Sequence, residues 1–220
     1  MRLFLINVNQ FVKEKLKKSK LYWVYDRGLS LELDPDGKKL QKVIESGSVD
    51  VLQFRAKDIT DNEYEEWVSS KLSLVDRSKA IFLANDFVES VTRLKLDGVH
   101  VGQNDMPVTL VKKMLGSDCI VGVTARSVEQ AKDAEVHGAD YIGAGTVFNT
   151  DTKRGLVAKG PEYVADLINE TSVTVFPIGG INLDNTPELV KAGIQRVAVA
   201  SCLLYSEEPE KLAFQIRNLL

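Results

Sequence analysis

The sequence predicts an α/β fold: one (β/α)8 TIM barrel over residues 1–220, with an extra N-terminal helix within residues 1–19. Three observations lead there. Eight short runs rich in Val, Ile, Phe and Tyr alternate with longer amphipathic stretches along the whole chain. The units recur at roughly 20–30 residues, with no linker, low-complexity segment or second composition between them. The length of 220 residues falls inside the range of roughly 200–250 that a closed barrel takes as one domain.

The strands are expected at 21–25 (LYWVY), 50–55 (DVLQFR), 80–84 (AIFLA), 97–101 (DGVHV), 119–123 (CIVGV), 140–144 (DYIGA), 173–178 (VTVFPI) and 196–200 (RVAVA). Helical patterns lie near 36–46, 61–75, 87–94, 107–115, 127–137, 160–169, 184–192 and 207–219. Ser127 precedes an EQAKDAE run as a helix cap would, and Asp184 precedes a helix with Pro187 in its first turn. An open doubly wound sheet shares this alternation, but eight even units without a long interruption favour closure. Residues 1–19 precede the first strand and are expected to form a helix on the outside.

Composition narrows the function classes. A net charge of −3 and a pI of about 5.6 give no global attraction to nucleic acid or an anionic membrane, so any phosphate must be met by local charge. Cys119 and Cys202 have no paired spacing and read as buried, reduced and structural. The apolar opening is too short for a signal peptide or a span, and no apolar run elsewhere reaches membrane length, so a cytoplasmic location is expected. Homo-oligomerisation is left open.

In a barrel, chemistry collects at the C-terminal strand ends and the loops after them. On the second strand Gln53, Arg55 and Lys57 alternate with Leu52, Phe54 and Ala56, so three polar groups share the inward face. Two cations there need anionic company: acids on neighbouring strands, or, as favoured here, an anionic ligand. Asn85 and Asp86 end the third strand, His100 ends the fourth, and Asp105 sits in the loop that follows. Asp86 and Asp105 near two cations suggest Mg2+ bridging to a phosphate, although either aspartate alone could be a helix cap. His100 reads equally well as a structural histidine. Thr124 places a hydroxyl at the fifth strand end. The loop GAGTVFNTDTKRG carries Lys153 and reads as a flap whose cation closes on an anion. Gly179-Gly180 and Ala200-Ser201, after the last two strands, suit a phosphate cup built from backbone N–H groups. Two differently built anion sites facing one mouth point to group transfer from a diphosphate.

The segments QFRAK, FLANDF, DGVHVGQND, GVTARS, DYIGAGTVFNTDTK, FPIGGI and AVAS stand in the order and approximate spacing of thiamine phosphate synthases, and the chain resembles that family from about residue 21 to 205. The resemblance implies a magnesium-dependent transferase. It would join the pyrimidinylmethyl group of hydroxymethylpyrimidine diphosphate to thiazole phosphate, giving thiamine phosphate and diphosphate by a dissociative route. It also implies that Gln53, Arg55, Lys57 and Asn85 hold the pyrimidine diphosphate. Asp86 and Asp105 would hold Mg2+, and Lys153 would clamp the departing diphosphate. Thr150 and Thr152 would shape the thiazole side, and Gly180, Ala200 and Ser201 would take the thiazole phosphate. Arg55, Thr124 and Lys153 are the expected catalytic residues, with His100 and Thr124 also touching substrate. The chain departs from the family pattern at Thr146, usually proline, at Thr124, usually serine, and at Ala125-Arg126, usually a small residue and His. Two other readings are a thiazole tautomerase of the same family, which has no use for the diphosphate apparatus, and a non-catalytic binder of thiazole or thiamine phosphate. The partners implied are small phosphorylated molecules, with no nucleic acid and no membrane.

Overall fold

Every expected apolar run is a strand, and the eight strands close on themselves. The computed structural model describes residues 8–150 and 157–220. Its strands are β1 (Leu21–Asp26), β2 (Val51–Arg55), β3 (Ile81–Asn85), β4 (Gly98–Val101), β5 (Ile120–Ala125), β6 (Tyr141–Gly145), β7 (Thr174–Ile178) and β8 (Val197–Val199). Each pairs in parallel with the next, and β8 returns to β1 with Tyr22 opposite Ala198. Among the described residues, the helices are α1 (Val8–Lys18), α2 (Arg27–Leu33), α3 (Lys38–Glu45), α4 (Asp61–Leu72), α5 (Val88–Leu94), α6 (Val108–Leu115), α7 (Val128–Val136), α8 (Gly160–Glu170), α9 (Thr186–Lys191), α10 (Ser201–Tyr205) and α11 (Pro209–Leu219).

The period of two in the strands sorts the core into two shells. Outward residues such as Trp23, Phe54, Phe82 and Val121 pack under the helices, while Val51, Ile81, Leu83, Ile120 and Phe176 fill the barrel interior. Interior space is limited, and glycine makes room for the largest side chains. A Cβ on Gly122 would stand 1.9 Å from Cζ of Tyr141, and one on Gly143 would stand 2.9 Å from Cε1 of His100.

Helix boundaries follow local chemistry. Ser127 caps α7, its hydroxyl accepting from the Gln130 N–H at 3.2 Å, as the sequence suggested. Helix α9 starts at Thr186 and not at 184, because Asn182 Oδ1 accepts from the N–H groups of both Asp184 and Asn185 and ties them into a turn. Helices α2 and α10 were not expected. With seven and five residues they are too short to show a period.

The N-terminal helix is present over Val8–Lys18, outside the strands as expected. It lies across the N-terminal end of the barrel. Leu16 is buried with the interior residues Tyr22, Val51 and Ile120, and Val12 packs against the same cluster. Lys13 donates to Ser117 O at 2.6 Å and pairs with Asp140 at 2.9 Å, Lys15 donates to Ser78 O at 3.2 Å, and Arg196 donates to Lys17 O at 3.1 Å. Those partners all stand just before strands, so α1 is pinned as a stopper under the barrel. The physical reason is the open lower end: interior apolar residues there need a cover, and Val12 and Leu16, one turn apart, supply it.

Candidate functional site

At the opposite end, where the strands finish, a cavity of about 370 Å³ opens to solvent. All eight strands or the loops after them contribute to its wall, as the fold requires.

One side is charged. Gln53, Arg55 and Lys57 all line the cavity, while Leu52, Phe54 and Ala56 belong to the outer core, so the alternation of β2 does what its sequence implied. The two cations have acidic neighbours on adjacent strands. Arg55 pairs with Asp26 at the end of β1, and Lys57 with Asp86 after β3. Asp26 has a second task, its Oδ1 accepting from the Leu29 N–H at 3.2 Å to cap α2. Asp86 holds a left-handed φ of 67°, tolerable for aspartate, and its N–H donates to His100 O at 2.9 Å. That turn directs Asp86 into the cavity beside buried Asn85. Asp105 also lines it, closing its own loop by accepting from the Gly102 N–H at 2.7 Å. Among the described residues no group of three or more His, Cys, Asp or Glu side chains is placed to hold a metal ion. Two carboxylates fit a magnesium ion that takes its remaining ligands from water and a substrate's phosphate oxygens, the usual arrangement for this ion.

The floor is a line of hydrogen bonds between five strands. Gln53 Nε2 donates to Tyr22 OH at 2.8 Å, and Tyr22 OH lies 2.8 Å from Tyr141 OH. Tyr141 OH lies 3.0 Å from His100 Nδ1, and His100 Nε2 lies 2.9 Å from Thr124 Oγ1. Gln103 Nε2 donates to Thr124 O at 2.6 Å. Burial pushes both phenols well above the usual tyrosine range, so both keep their protons.

Among the described residues, the far side is neutral. Gly179, Gly180, Ala200 and Ser201 line it, with Thr150 beside them. The two glycines also let the loop after β6 run against β7. Their φ values are 108° and 67°, and added Cβ atoms would meet Thr146 Oγ1 and Asn149 O, each at 2.4 Å. Phe148 N–H donates to Gly179 O at 2.9 Å, extending the sheet into that loop. Thr152 and Lys153 lie outside the described residues.

Several residues in the cavity wall or beside it carry no signal in the sequence alone. Asp26 ends LYWVYD at the inward-facing strand end, which marks it once the register is known. Tyr22 and Tyr141 look like ordinary strand residues until the barrel turns them inward. Asn149, Asn182 and Cys202 reach the mouth from loops and helix starts. Arg126, at a position where the chain departs from the family pattern, lines the mouth between the acidic loop and the loop after β6.

Residues 21–203 match the family described as thiamine monophosphate synthase. The thiamine-phosphate synthase of Fusobacterium nucleatum is 33% identical over 208 residues, covering 93% of this chain and 97% of that protein. That of Pyrococcus horikoshii is 32% identical, covering 94% and 96%. The structure of thiamine phosphate pyrophosphorylase from Pyrococcus furiosus superposes with a TM-score of 0.80 at 32% identity, covering 92% of this chain and 96% of that one. With a closed barrel and matches of this length, the chain belongs to the thiamine monophosphate synthase family and is an enzyme of the transferase class.

Proposed function

We propose that this enzyme joins hydroxymethylpyrimidine diphosphate to thiazole phosphate, releasing diphosphate and forming thiamine phosphate with the help of Mg2+. The observation that carries the reading is the division of one cavity wall: paired cations and carboxylates from β2, β3 and the loop after β4 on one side, and a glycine-lined neutral face after β7 and β8 on the other. Charged diphosphate belongs with the first and a monophosphate with the second.

In this reading, Arg55 and Lys57 bind the diphosphate, trading Asp26 and Asp86 for phosphate oxygens. Asp86, released from Lys57, and Asp105 would hold the ion, which would supply charge neutralisation on the leaving group. Asn85 and Gln53 orient the pyrimidine side, and Lys153 meets the diphosphate as it departs. The carbon–oxygen bond breaks with its electron pair going to diphosphate, and the thiazole nitrogen then supplies the pair for the new carbon–nitrogen bond. The chain has only to neutralise charge and hold two molecules in line, which needs no protein nucleophile. Gly180, Ala200 and Ser201 hold the thiazole phosphate, with Thr150 and Thr152 along its ring.

The test is to mix both substrates, the protein and magnesium. Thiamine phosphate and diphosphate are expected. Metal-independent isomerisation of the thiazole phosphate without a coupled product would overturn the reading in favour of a tautomerase.

A further inference from the structure

The hydrogen-bonded floor joins Gln53, Tyr22, Tyr141, His100 and Thr124, and its order has a direction. An amide nitrogen can only donate, so the Tyr22 oxygen accepts from Gln53. The proton of Tyr22 then has Tyr141 as its partner at 2.8 Å, in a place with no solvent contact to speak of. Tyr141, already accepting, passes its own proton toward Nδ1 of His100. A ring nitrogen that accepts is bare, so the imidazole proton is on Nε2, facing Thr124 Oγ1 at 2.9 Å. The hydroxyl of Thr124 accepts it, and its own proton is left for the cavity that Thr124 lines.

We infer that Tyr22 and Tyr141 are positioning residues that hold the proton of His100 on Nε2 and thereby make Thr124 a hydrogen-bond donor to an acceptor atom of the bound substrate. The high proton affinity of both phenols agrees, because neither gives up its proton and the line keeps its polarity across the working pH range. Gly122 and Gly143 serve the same end, since a side chain on either would push Tyr141 or His100 out of line. The opposite polarity needs the Gln53 amide turned over, with its oxygen accepting from Tyr22; the Thr124 proton would then be taken by His100, and the substrate would meet an acceptor.

This deepens the synthase reading and rests on it for the identity of the ligand, but the proton's position can be read without any reaction. The chain has only two histidines, and His137 is an exposed surface residue that serves as a reference. Nitrogen-15 NMR of imidazole-labelled protein is expected to show His100 with a protonated Nε2 and a bare, hydrogen-bonded Nδ1. Tyr141→Phe should remove the hydrogen-bond shift at Nδ1 and mix the tautomers, and Tyr22→Phe should do so more weakly. A proton on Nδ1 in the wild type, or a tautomer indifferent to both substitutions, overturns the inference.

Kinetics supply the second readout. Thr124→Val and Tyr141→Phe should each lower kcat/KM by about tenfold, the rate equivalent of one hydrogen bond. The double variant should lose no more than Thr124→Val alone, because Tyr141 acts through Thr124. Multiplied losses would show that Tyr141 acts otherwise and overturn the inference. Failure to form any thiamine phosphate would instead sink the synthase reading and leave the NMR result to decide the tautomer.

Discussion

The phenol of Tyr141 occupies the space that a side chain on Gly122 would need, with 1.9 Å between the added Cβ and Cζ of the ring. Gly122→Ala is therefore expected to destabilise the fold by at least about 2 kcal/mol, because an interior this dense relaxes little. Denaturant unfolding of the variant checks it. Combining Gly122→Ala with Tyr141→Ala should cost less than the two single losses added together, since the clash disappears with the ring.

The paired aspartates give the second expectation. Asp86→Asn and Asp105→Asn keep size and, for Asp105, the bond from Gly102. Each should lower turnover by at least about a hundredfold while leaving the fold intact, because on the proposed reading it removes a charge that acts in the transition state. Steady-state rates across a magnesium titration, alongside circular dichroism, measure both parts. Full magnesium-dependent activity in the double variant would refute the metal assignment.

Arg55→Ala and Lys57→Ala should weaken binding of the pyrimidine diphosphate and spare the thiazole phosphate, because both sit on the β2 side of the mouth. Calorimetry with each ligand separates the two sites, and equal losses would show that they are misplaced. Arg55→Ala carries an added cost of about 1–2 kcal/mol in stability, since it leaves the half-buried Asp26 without its partner. Lys57 is half exposed, so its removal should barely change stability.

Lys153→Ala tests when the flap acts. If the lysine meets charge that builds up as diphosphate leaves, the turnover number falls more than the Michaelis constant rises. Coupling and thiazole isomerisation should be followed in the wild type and the variant, with and without chelator. Isomerisation indifferent to lysine and metal, without coupling, points to the tautomerase.

Asp97 offers a test of pH dependence away from the site. Burial raises its carboxyl above the usual aspartate value, even though it accepts from the Phe82 N–H at 2.8 Å. The folded state thus binds the proton more tightly than the unfolded chain. The stability from this group is complete below the ordinary value of 3.8 and is lost as pH rises through the folded value. Asp97→Asn removes that titration and keeps the acceptor, so the variant should gain melting temperature on the wild type as pH rises above the usual carboxylate range.

The barrel was legible because strand parity and helix period repeat eight times, and one strand, β2, announced its inward face by alternating Gln53, Arg55 and Lys57 with apolar residues. The charged side of the mouth followed from the same parity. Asp26 was not legible, because a carboxylate after a strand looks like any helix cap, and here it is one as well as the partner of Arg55. The tyrosines were hidden for a different reason. Tyr22 and Tyr141 are 119 residues apart, and only closure of the sheet brings their hydroxyls together. The placement of α1 was hidden in the same way: an amphipathic stretch shows that it has an apolar face but not which surface that face meets.

Among the described residues, Leu16 closes the lower end of the barrel interior, and the cavity opens at the other end. Whatever enters must leave by the way it came, so traffic through the site is a stack and not a corridor. In the proposed reaction, a molecule lying on the tyrosine floor would depart only after one bound above it. On that proposal, the order of arrival and departure would be set by architecture before any affinity is considered, and an excess of the upper occupant would hold the lower one in place.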